Sequence, residues 1–276
     1  GHETIAFSVD SAAAADIGVH QKRAGTIGAV NGTTATAGAT TVPSNPVSAS
    51  TLTISGFLGT TGVTVENADS ARLVASAVND AFSDTGVSAK AITKAKISDL
   101  SAAGTITFDV KGKNSSWVTV STTLSSETDL TSMAAAFNTF SSQTGITAEL
   151  STDKTYVVLT SEDGYDIQLQ NYTNNSDGTV NVIGLAGNGD AIADTNGTAL
   201  DTAITLRSTT TSDSARILGD ILFSSSKEFT LKENSGTAGQ SRFVGPSSMA
   251  SSLVSMSTVN ISTQEGAGDA IGIIDG

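Results

Sequence analysis

The stretch ASAVNDAFSDTGVSA at residues 75–89 recurs as AAAFNTFSSQTGITA at residues 134–148. The copies align without a gap and match Asn79 with Asn138, Thr85 with Thr144, and Gly86 with Gly145. Such a repeat marks one supersecondary unit used twice. Each copy opens on an amphipathic helix. Ala71, Val74, Ala75, Val78 and Phe82 stand at i, i+3, i+4, i+7 and i+11, along one helical face. Leu130, Met133, Ala134 and Phe137 repeat that stripe behind Asp129, whose carboxylate suits an N-cap. Gly86 and Gly145 predict the helix stops, since glycine enters the left-handed region at C′ without a Cβ penalty.

Short apolar runs flank each helix. Strands are predicted at 52–54 and 63–65 before the first helix and at 87–97 after it. The second helix is preceded by 105–110 and 117–120, and followed by 146–150, 156–160 and 167–169. The unit is therefore a hairpin, a helix, then one or two strands. Past a polar loop at 174–178, further strands are predicted at 179–183, 203–206 and 228–231. Residues 3–9 alternate, with Ile5, Phe7 and Val9 on one face. Residues 24–50, with Pro43 and Pro46 among Gly, Ala, Thr and Ser, read as loop. Met249, Leu253, Val254 and Met256 fall at helical spacing. Ser262-Thr263-Gln264-Glu265 has the spacing of a capping box, and Ala267, Ala270, Ile271 and Ile274 form a narrow stripe that needs a partner helix. The expected class is α+β, mostly β, with small antiparallel sheets each packed by a short helix.

Composition narrows the function. The 276 residues hold 14 basic and 27 acidic groups, a net charge of −13. Phosphate attraction needs the opposite sign, so neither a nucleic acid nor an anionic membrane surface is an expected partner. No apolar run approaches the ~18–20 residues that span a bilayer. The absence of cysteine removes disulfides, zinc fingers and thiol nucleophiles together. Burial and backbone pairing alone must hold the fold.

Candidate chemistry is sparse. His20 lies beside Gln21, Lys22 and Arg23 with Asp16 four residues earlier; the other histidine, His2, does not complete an H-E-x-x-H metal site with it, and His20 reads as a surface residue. No G-x-S-x-G elbow occurs, so serine abundance is not a nucleophile signal. The glycines at 56, 59 and 62 lack the G-K-[ST] ending of a phosphate loop and predict a hairpin connection. Gly187 and Gly189 are followed by Ile192 where a dinucleotide fingerprint needs glycine, so a turn is expected. Asp190, Asp194, Asn196 and Asp201 offer hard oxygens for Ca²⁺ but fit no EF-hand spacing, and read as a solvated acidic loop. Glu162, Asp163 and Asp166 read the same way. Trp117, Tyr156, Tyr165 and Tyr172 would make a sugar-stacking platform only if brought together; core and edge packing is the expected role. No catalytic, cofactor-binding or metal-binding residue is expected, and no enzyme.

Several of these stretches resemble bacterial flagellins. NISTQEGAGDAIGIID at 260–275 resembles the start of their carboxy-terminal rod helix. GHETIAFSVDSAAAADIGV at 1–19 resembles the place where their amino-terminal rod helices give way to a hairpin. The copies at 79–89 and 138–148 resemble the flagellin hook IN motif. The resemblance implies an extracellular, secreted filament subunit of the motility apparatus, reduced to outer domains with both terminal rod-helix regions missing. It implies nested, discontinuous domains: 1–22 with 243–276 as an inner stub, 23–50 with 178–242 as a proximal outer domain, and 51–177 as a distal one holding repeats 52–97 and 105–172. Other flagellin subunits are the implied partners, through regions mostly missing here, and this chain alone is expected to be monomeric. The alternative is a cell-surface adhesin or polysaccharide-binding module on the same scaffold.

Overall fold

The computed structural model describes residues 18–24, 29–30, 41–188, 203–208, 212–235, 243–244, 247–255 and 257. In chain order they form β1 (Gly18–Arg23), β2 (Ala29–Val30), β3 (Ser50–Ser55), β4 (Thr60–Val65), α1 (Ala71–Asp80), α2 (Phe82–Thr85) and β5 (Ser88–Ser98). Next come β6 (Gly104–Lys111), β7 (Val118–Leu124), α3 (Thr131–Thr139), α4 (Ser141–Thr144), β8 (Thr147–Leu150), β9 (Val157–Ser161) and β10 (Ile167–Asn174). The chain returns through β11 (Thr179–Leu185), β12 (Ile204–Arg207), β13 (Ala215–Ile217), β14 (Asp220–Ser225), β15 (Thr230–Ser235), β16 (Met249–Ala250) and β17 (Ser252–Ser255). The class is α+β and mostly β, in antiparallel sheets with a few short helices.

The largest sheet runs β12-β11-β5-β14-β1-β17, with β9 and β8 attached beside β5. A second runs β2-β13-β10-β6-β7 and a third β16-β15-β3-β4. Alternation along β5 explains its central place: Ala89, Ala91, Thr93, Ala95 and Ile97 point inward, while Lys90, Ile92, Lys94 and Lys96 point out. Its first half pairs with β14 and its second half with β9 and β11.

Two buried clusters follow from this division. One gathers α1 residues Ala71, Val74, Ala75 and Val78 with Leu52, Ile54, Ile221, Phe223 and Leu231. The other gathers α3 residues Met133, Ala134 and Phe137 with Phe108, Tyr172, Leu159 and Val182. Each repeat thus buries its helix in a different core, and β5 supplies residues to both.

Three expectations need correction. Phe82 is half exposed rather than on the buried stripe, because α1 ends at Asp80 and a new single turn starts at Phe82, which shifts the helical phase. Residues 249–255 form two short strands, not a helix. There Leu253 and Val254 pair with His20 and Val19, and closing that sheet outweighs an i, i+4 coincidence. Asp129 lies one residue outside the assigned N-cap Leu130, yet its Oδ1 still accepts the Thr131 N–H at 3.0 Å. The strand expected at 3–9 and the capping box and stripe at 262–274 lie outside the described residues.

Candidate functional site

The repeated residues share one piece of local chemistry. The Asn79 side chain donates to the Ala89 carbonyl at 2.9 Å and accepts the Ala89 N–H at 2.8 Å. Asn138 does the same to Ala148, at 2.7 and 2.8 Å. An amide carries both a donor and an acceptor, so one side chain takes the place of a strand partner. The Thr85 hydroxyl donates to the Ala81 carbonyl and accepts the Val87 N–H; Thr144 repeats this with Phe140 and Ile146. Gly86 and Gly145 then turn the chain at φ 72° and 70°.

A second pair of glycines, invisible in the alignment, completes each unit. A Cβ on Gly56 would lie 2.0 Å from the Thr85 carbonyl oxygen, and one on Gly112 would lie 2.4 Å from that of Thr144. Each hairpin connection therefore lies directly against the end of its own helix, and Lys113 donates its N–H to Thr144 at 2.9 Å. The repeat joins hairpin, helix and following strand into one hydrogen-bonded unit.

The residues singled out for chemistry are dispersed. His20 sits on β1, half-buried, opposite Ser225 of β14 and Leu253 of β17, rather than fully at the surface. Its Nδ1 is buried without a hydrogen-bond partner. Neighbouring Arg23 pairs with Asp220 at 2.8 Å. Glu162 and Asp163 are exposed in a turn, but Asp166 is buried, which overturns its reading as part of a solvated loop. Arg216 Nη1 donates to its Oδ2 at 2.8 Å and Asn45 Nδ2 at 3.2 Å. The run from Asp190 to Asp201 lies outside the described residues.

Asp166 and Asp220 are arginine-paired carboxylates whose burial sequence reasoning missed, as it did that of Glu233, which accepts the Ser50 hydroxyl and the Phe243 and Val244 N–H groups. Burial pushes both aspartate carboxyl groups above the ordinary range, and the facing arginines offset only part of that. Asp220 also accepts the N–H groups of Gly187 and Ile221. Both pairs tie segments far apart in sequence, the work of cross-links rather than of an acid–base pair. No local spacing announces them.

The aromatic residues form no common platform. Tyr172 is buried with its ring 5.1 Å from Phe108, and its hydroxyl donates to the Gly178 carbonyl; burial pushes that hydroxyl up to about 12. Tyr156 lies beside Lys96, Tyr165 beside Arg72 and Trp117 beside Lys111, each with its own cation. Gly56 and Gly59 lie in the β3–β4 hairpin connection as expected, while Gly62 falls within β4, opposite Thr53 of β3. Among the described residues no group of three His, Asp or Glu side chains is placed to hold a metal ion. No described helix is long and apolar enough to cross a membrane.

No protein-family model matches this chain, and no curated protein matches it. Among solved structures it is similar to the flagellar cap protein FliD from Helicobacter pylori, at 12% identity and a TM-score of 0.22, over 83% of this chain and 81% of that one. Likeness at that level does not establish a common fold.

Proposed function

We propose that this chain forms the outward-facing domains of a bacterial flagellin, a structural protein of the extracellular flagellar filament that acts without catalysis. One observation carries the reading. Two hairpin–helix–strand units, closed by the same Asn–Thr–Gly chemistry and resembling hook IN motifs, stand between chain segments that meet as neighbours in one sheet. The chain leaves through β1 and returns through β17, paired antiparallel from Gly18 with Ser255 to Gln21 with Ser252. A module hung from a filament needs such a common root. Its acidic, cysteine-free composition suits a surface that keeps neighbouring filaments apart. The proposed partners are other flagellin subunits of the same filament.

Immunogold electron microscopy tests this, with antiserum raised against this chain and applied to intact producing cells. Gold along the filament shaft is expected. Gold confined to the filament tip, to the cell body or to no surface structure overturns the proposal.

A further inference from the structure

A groove of about 500 Å³ opens on the outward face of the largest sheet, away from the buried core. Two cross-strand rows build it. Glu149 of β8, Val158 of β9, Lys96 of β5 and Ile183 of β11 stand in register, and beside them run Thr147, Thr160, Lys94 and Leu185. All but Thr147 line the groove, and Tyr156 closes one side with its ring centroid 4.4 Å from Lys96 Nζ. The volume falls within the ~300–1,000 Å³ of ligand pockets.

The chemistry of this lining is mixed in a particular way. Lys94 and Lys96 are alternate residues of one strand, so their stems rise about 7 Å apart on the same face. Among the described residues neither lysine has an ion-pair partner, and neither does Glu149. Two half-buried cations therefore stand on one face of a molecule whose net charge is −13, with Lys96 also acting at longer range on Asp99. A groove for an anion alone would exclude Glu149. A carboxylate accepts hydrogen bonds from hydroxyls, and Thr160 and Thr152 add hydroxyls of their own, while the Ser151 hydroxyl is held by Asp153 and the Tyr156 N–H. Val158, Ile183 and the Tyr156 ring supply apolar surface for C–H faces. A ligand matching all three features carries carboxylates, hydroxyls and flat apolar faces together.

We infer that this groove binds an acidic oligosaccharide, with Lys94 and Lys96 on its carboxylates, Glu149 and the hydroxyl side chains on its sugar hydroxyls, and Tyr156 against a sugar face. The inference goes beyond a filament role and does not depend on it. Calorimetric titration of the whole chain with trigalacturonate, galactotriose and triglutamate tests it. Saturable binding of trigalacturonate alone is expected. Lys94→Gln with Lys96→Gln should weaken it by at least about tenfold, since each removes a charge-assisted hydrogen bond. Tyr156→Ala should weaken it too, whereas Lys90→Gln, outside the groove, should leave it unchanged, with circular dichroism verifying each fold. No binding of trigalacturonate, equal binding of galactotriose or triglutamate, or a double variant that binds like the parent each overturns the inference.

Discussion

Asn79 and Asn138 each hold one residue by both of its backbone polar groups, yet the two clamps differ in surroundings. Ala89 is buried, whereas Ala148 is half-buried and its bonds to Asn138 lie exposed. The Asn79 bonds are part-buried, so losing that side chain leaves an N–H and a C=O with limited access to water, whereas water replaces the exposed bonds of Asn138. Asn79→Ala should cost about 2–3 kcal/mol and Asn138→Ala about 1 kcal/mol or less, because an unmet buried group forfeits its full desolvation penalty. Urea denaturation of both variants measures the difference; equal losses would show that the clamp acts independently of burial. Asp220 gives a pH prediction. Its folded pKa is raised above the unfolded 3.8 by burial, so its contribution to stability is complete below that value and is lost as pH rises through the folded pKa. Asp220→Asn removes this slope. The variant should therefore gain stability relative to the parent as pH rises across that window, and parallel stability–pH curves would count against it.

At the scale of elements, α1 and α3 show how one repeat is packed twice. Phe137 matches Val78 in the alignment, and both are buried at the centre of their helix faces. Phe82 matches Ser141, a polar position, and so belongs to the second, single-turn helix on the outer side. Phe137→Ala should cost about 3–5 kcal/mol by cavity formation against Phe108, whose ring lies 5.7 Å away. Phe82→Ser should cost less than about 1 kcal/mol, in the range of surface substitutions. Equilibrium denaturation of the pair decides the helix face: a Phe82 loss as large as that of Phe137 would reinstate the continuous stripe. Among the strands that sequence pattern passed over, such as β1 and β13, β14 buries the most residues. Ile221 and Phe223 are fully buried between β5 and β1, and the apolar run of three residues, Ile221 to Phe223, is too short to show a period of its own.

For the whole molecule, the balance between self-association and repulsion follows from charge and edges. β4 and β7 end their sheets, and their sequences TTGVTV and VTVSTTL carry no lysine to blunt edge pairing. Against this stands the −13 net charge, whose repulsion between copies salt relieves only at long range. Exposed Phe57, Leu58, Leu73, Phe82, Trp117 and Leu253 are only about half accessible and spread over several elements. The chain should elute as a monomer of 27.7 kDa in size-exclusion chromatography with light scattering, at low and at moderate salt. A stable species of twice that mass, or filaments by electron microscopy, would assign these domains an assembly interface of their own.

From sequence alone, the internal repeat, both helices, their glycine stops and the mostly-β class were determined. Each depends on neighbours within a turn or a hairpin, and periodicity reports such local bonding. Asn79, Thr85 and Gly86 match Asn138, Thr144 and Gly145 because the clamp closes within a dozen residues. Tertiary structure alone decided that residues 249–255 become strands, that Asp166 meets Arg216, that β14 sits between β5 and β1, and that Lys94 and Lys96 face a groove. Those outcomes join segments separated by up to hundreds of positions, where no local spacing records the partner. A strand's place depends on which edge remains to be paired and which face remains to be buried, and that is settled only when the whole chain folds.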